Sequence, residues 1–180
     1  MEANTSANVV PAGLPDQFII VEKNQIPDFT VFQWRSGTDW PPRMVVEVKP
    51  LEAPKTLVNA KNVVAETTWQ MLRQAMHAFE TDGDFDSIHI LCIVEDFFSM
   101  TIIKREDRLL LPPCEVDELV LVAFKQQKLT AIRKFYARTR DTLIRGTGKI
   151  LDQTTNDYSS RFKAHWDSFA ATYHLQCDWS

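Results

Sequence analysis

The chain has 180 residues, 44% of them apolar, with eleven Phe, five Trp and a formal charge of −4. That is enough for one buried core and short for two domains, and no run of about 18 apolar residues is present to span a membrane. Three widely spaced cysteines, Cys92, Cys114 and Cys177, argue against a disulfide framework or a zinc cluster. Met1-Glu2-Ala3-Asn4 opens without the basic start and apolar core of a signal peptide, so an intracellular location, cytoplasmic or nuclear, is expected.

Residues 1–16, interrupted by Pro11, Gly13 and Pro15, read as a flexible arm before a single domain over 17–180. Phe18–Lys23 reads as a first strand. Asp28–Trp34 and Arg43–Lys49 form the next two, paired as a hairpin across Arg35–Asp39, with Trp40-Pro41-Pro42 closing the loop outside the ladder. A helix follows over 56–80, because Val64, Met71, Ala75, Met76 and Phe79 recur at helical spacing, and Thr81-Asp82-Gly83-Asp84 ends it. Ser87–Val94 is short, apolar and β-branched, as a central strand should be, and Phe98–Lys104 is the next strand. Pro112-Pro113 breaks the chain. Glu118–Phe124 fits strand or helix and is read as helix running into the following segment.

Two amphipathic helices finish the chain, one striped by Leu129, Ile132, Tyr136, Thr139 and Leu143, the other by Phe162, Trp166, Phe169 and Tyr173. Both stripes read as core packing. Gly146-Thr147-Gly148 between them is too short for a phosphate loop and follows no strand. The expectation is an α/β domain: a central mixed sheet flanked by helices, its core at about 18–105 and a C-terminal helical extension at about 115–176.

Within the hairpin, Glu47 interrupts the apolar run Val45-Val46-Glu47-Val48, and a charge there must be paired, coordinated or at an edge. Strand alternation puts Glu47 and Lys49 on one face, about 6.5–7 Å apart. Eighteen residues separate Asp28 from Glu47, a hairpin-length gap that lets the two carboxylates meet beside one ammonium. Two carboxylates and a lysine suit a divalent cation and the water it activates. The bland alternatives are a turn aspartate at Asp28 and a structural ion pair between Glu47 and Lys49. On the long helix, Gln70, Gln74 and His77 share a face, and Gln74 is the candidate to orient a water or touch a phosphate.

Pro27-Asp28 followed by Glu47-X-Lys49 resembles the signature of the PD-(D/E)XK nuclease superfamily, over roughly residues 18–105. The resemblance implies a restriction-endonuclease-like fold and metal-dependent hydrolysis of nucleic-acid phosphodiester bonds. It implies Mg²⁺ or Mn²⁺ held by Asp28, Glu47 and the backbone carbonyl of Val48, with Asp28, Glu47, Lys49 and Gln74 as catalytic residues. Many members carry a further acid on a helix before the first strand. Here Asp16 and Glu22 are the nearest substitutes, and without them the site has two carboxylates and suits one metal ion. A second reading is a nuclease-like fold that has lost catalysis and binds protein or nucleic acid, as a homodimer or within a larger assembly.

Charge distribution bears on the nucleic-acid reading. Lys125, Lys128, Arg133, Lys134, Arg138, Arg140, Arg145 and Lys149 fall in one segment with Asp141 as its only acid, a local +7 that leaves the remainder at −11. Lys128, Lys134, Arg138 and Arg145 are the candidates for phosphate contacts; a solvated helix face is the alternative.

Overall fold

The computed structural model describes residues 28–33, 41–81, 85–110, 118–175, 177 and 179, apart from the side chains at 81, 108–110 and 118–129. The expected arm at 1–16, the strand at 18–23, the turn at 35–39, the Gly83 stop and Pro112-Pro113 lie outside the described residues.

Five strands form one sheet in the order β1-β2-β3-β4-β5. They are β1 (Phe29–Phe32), β2 (Pro42–Lys49), β3 (Ser87–Val94), β4 (Phe97–Lys104) and β5 (Gly148–Lys149). β2 and β3 run parallel, and the other neighbours are antiparallel. A parallel pair needs a crossover, and α1 (Leu57–Thr81) supplies it. α2 (Glu118–Gly146) resolves the ambiguous 118–124 stretch as helix, and α3 (Ser160–Thr172) follows β5. A 3-10 turn, Arg105–Leu110, leaves the far end of β4. No helix among the described residues is long and apolar enough to cross a membrane.

The hairpin has the expected pairing, Phe29 opposite Val46 and Val31 opposite Met44. One detail corrects the sequence reading: Pro42 belongs to β2 and stands opposite Phe32, just past a register shift between Val31 and Phe32. Proline is tolerated there because it is the first residue of the strand and needs no ladder donor.

α1 begins where the Thr56 hydroxyl accepts the Asn59 amide at 3.2 Å, an N-cap that satisfies one of the helix's open donors. Its stripe Val64, Met71, Ala75, Met76 and Phe79 is buried as expected. The stripe packs on Val45, Ile88, Ile90, Cys92 and Val94, and Phe135 and Leu143 of α2 join the same core. α3 covers the opposite face, where Phe169 and Tyr173 meet Met44, Val46, Leu91, Phe98 and Met100. The two C-terminal helices thus lie on opposite faces of the sheet and close both layers of the core.

β5 was not legible in the sequence. Two residues are too few for a periodicity, and the strand exists through its pairing with Phe97 and Phe98. A Cβ at Gly148 would lie 2.8 Å from Cδ of Arg161, so the glycine lets the Arg161 side chain lie against β5.

Candidate active site

Glu47 sits near the C-terminal end of β2, two residues before the strand ends at Lys49. Its neighbours Val45 and Val46 are core residues, and Glu47 is itself only 2% exposed. Such a carboxylate must be supplied with donors, and three are present. Lys49 Nζ and Gln70 Nε2 donate to Oε1, each at 2.5 Å, and Gln74 Nε2 donates to Oε2 at 2.7 Å.

Local geometry explains the arrangement. Lys49 lies two residues along the strand, so it shares the Glu47 face, and its side chain remains 29% exposed at the sheet end. Gln70 and Gln74 are one helical turn apart on α1, which places both amides above the same strand residue. The sequence singled out Gln74; Gln70 has the same role in the structure. Its signal was the i, i+4 spacing already visible on that helix face. His77, next on that face, is exposed.

Asp28 immediately precedes β1. The next residue, Phe29, is opposite Val46, so Asp28 stands across from Glu47. Asp28 Oδ2 accepts the Val48 amide at 2.7 Å, tying the start of β1 to the end of β2. In an antiparallel ladder the N–H and C=O of one residue point to the same side. The Val48 carbonyl therefore faces the Asp28 side of β2.

Cys92 is opposite Glu47 on β3 and fully buried. Burial, then the nearby Glu47 charge, pushes its thiol up to about 12, opposed by Lys49 and reinforced by Asp28. The side chain stays a neutral thiol.

The groups able to hold a cation here are the Asp28 and Glu47 carboxylates and the Val48 carbonyl. These are hard oxygen donors and suit Mg²⁺ or Mn²⁺. Among the described residues no group of three or more Asp, Glu, His or Cys gathers at one place. Comparison with known protein families, curated proteins and solved structures finds no match for this chain.

The basic residues of α2 divide. α2 ends at the same end of the sheet as Lys49, because β5 directly after it pairs with the start of β4. Arg145 is exposed in its last turn. Arg138 is elsewhere: it reaches Asp107 at 3.6 Å in the 3-10 turn beyond the opposite end of β4. Lys134 is exposed about 18 Å back along the helix from its end. Lys128 is in α2, but its side chain lies outside the described residues.

Proposed function

We propose that this chain is a metal-dependent nuclease that hydrolyses phosphodiester bonds of nucleic acid, with a site of the PD-(D/E)XK kind it resembles. The observation that carries the reading is Glu47, a buried carboxylate in a core strand, sharing its face with Lys49 and standing across from Asp28. A charge in that position costs stability even when paired. A catalytic role accounts for a charge placed there.

Asp28, Glu47 and the Val48 carbonyl would hold Mg²⁺ or Mn²⁺, which supplies a Lewis acid for the phosphate and an acidified water. The chain's own groups do the rest. Lys49 brings a positive charge and movable donors to the phosphate oxygens where charge develops. Gln70 and Gln74 fix the Glu47 carboxylate from above, so its orientation is set before substrate arrives. The Asp28 bond to the Val48 amide fixes the β1 side of the site in the same way.

A second reading, a nuclease-like fold that binds protein or nucleic acid without cleaving it, is favoured by one observation. Both Glu47 oxygens already have donors from Lys49, Gln70 and Gln74. Cleavage of single- and double-stranded DNA and RNA, with Mn²⁺ or Mg²⁺ and with EDTA, separates the two. The expected result is cleavage that EDTA stops. Lys49→Ala should lower the rate by about 10²–10³-fold, the loss typical of removing one transition-state donor, while Mn²⁺ binding by calorimetry persists. Glu47→Ala should lose both. A wild-type protein inactive on every substrate with Mn²⁺ would leave the binding module as the function.

A further inference from the structure

We propose that the outer face of α3 carries a preformed seat for a tryptophan, and that two copies of this chain associate by exchanging Trp179 between their seats. The seat is separate from the candidate active site, because α3 packs on the sheet face opposite α1. Nothing in it depends on nuclease chemistry. The chain turns back after α3: Tyr173 caps the helix, and the Leu175 amide donates to the Ala170 carbonyl at 2.8 Å. Trp179 lies over the first half of the helix. Its indole N–H donates to the Asp167 carboxylate at 2.8 Å. Its ring centre is 5.5 Å from that of Tyr158 and 6.4 Å from that of Phe162. Lys163 Nζ stands over the ring, 5.6 Å from its centre. Aromatic edges, a cation on the face and an acceptor for the N–H together use every means an indole has of being recognised.

The seat is built by contacts that do not involve Trp179. Tyr158 is bridged to Leu151 and stacked on Phe162, with ring centres 5.4 Å apart. Phe162 packs on Phe98 at 5.0 Å and on Trp166 at 5.9 Å. Lys163 is held by Asp157 at 2.7 Å. A site ordered beforehand loses little freedom when it is filled. Among the described residues, Phe169 and Tyr173 carry the packing of α3 on the sheet, and Trp179 takes no part in it. The arm can therefore leave without opening the core.

Two features name a second copy as the exchange partner. The segment that fits the seat is this chain's own, and in an exchanged pair each seat keeps the same contacts, so no interaction is lost. The return path is also strained: His174 has a φ of 56°, a left-handed conformation uncommon for a residue other than glycine. A short hinge under strain favours exchange, because an arm reaching a neighbour need not turn back. The tether opposes it, giving Trp179 an effective concentration on the order of millimolar at its own seat. The closed monomer therefore dominates in dilute solution, and pairs form as the protein concentration approaches that value.

The test is light scattering over a concentration series. The samples are wild type, Trp179→Ala without the arm, Asp167→Ala with Tyr158→Ala without the seat, and an equimolar mixture of the two variants. Wild type should pass from monomer towards dimer as its concentration rises to about 1 mM. Each variant alone should lose the dimer. The mixture should form a one-to-one pair at lower concentration than wild type, since the free arm of one variant meets the empty seat of the other with no tethered competitor. Trp179, Tyr158 and Asp167 are all at least partly exposed, and circular dichroism checks that each variant is folded. If the double variant unfolds, Asp167→Ala alone takes its place. The proposal is overturned if wild type stays monomeric up to that concentration, if either variant alone dimerises as wild type does, or if the mixture fails to associate. No readout uses cleavage, so the nuclease reading stands or falls separately.

Discussion

The two faces of the sheet each bury a titratable side chain on a central strand, and they treat it in opposite ways. On the α1 face Glu47 receives three donors and opens at Lys49 towards solvent. On the α3 face His89 is enclosed, 5.1 Å from Phe169 and 5.5 Å from Tyr173 between ring centres. Its Nδ1 is 3.2 Å from the Tyr173 hydroxyl, which also donates towards the carbonyls of Arg43 and Ser87. No carboxylate is among those contacts, and burial holds the His89 pKa down at about 4. Equal burial therefore does not mark a site. What differs between the faces is a supply of polar partners together with an opening to solvent. The α1 face has both, and the α3 face keeps its polar groups inside an aromatic core.

The largest expected effect that sharpens this contrast is on the α3 face. His89 titrates near 6.5 when unfolded and about 4 when folded. Between those values the unfolded chain binds the extra proton, so stability is full above pH 6.5 and falls as pH drops towards 4. The loss is about 3 kcal/mol at its limit, from 1.36 kcal/mol per pKa unit. Urea unfolding at pH 7 and pH 4.5 should show a steeper decline for wild type than for His89→Gln. Parallel declines would mean His89 is not held neutral and the faces are alike.

Next in size is the donor supply above Glu47. Gln74→Leu removes a buried donor from a buried carboxylate and should cost about 1–3 kcal/mol, read from the urea midpoint at pH 7. An unchanged midpoint would show that Glu47 needs no help from α1, and the polar character of that face would lose its structural basis.

The smallest is at the entrance to the α3 face. Ser159 caps α3, its hydroxyl accepting the Phe162 amide at 3.2 Å and donating to the Lys149 carbonyl at 2.6 Å. Ser159→Ala should cost about 1 kcal/mol. A cost well above this would mean the bond to Lys149 holds β5 as well as the helix.

The sequence by itself determined the elements whose signal repeats. The short apolar, β-branched run at 87–94 and the three-to-four spacing along α1 are local signals and need no partner to be seen. Strand alternation put Glu47 and Lys49 on one face, and the hairpin-length gap put Asp28 within reach. The tertiary structure decided what depends on non-local pairing. Gly148 and Lys149 are a strand only because Phe97 and Phe98 are there to pair with them. Gln70 proved equivalent to Gln74 only once the angle of α1 over β2 was fixed. The basic run in α2 is one charge block in sequence. Folding carries Arg145 to the Lys49 end of the sheet and Arg138 to the Asp107 end. A helix rises 1.5 Å per residue, so Arg138 and Arg145 stand about 10 Å apart along α2, and only the packing of α2 on β4 says which end of the sheet each is near.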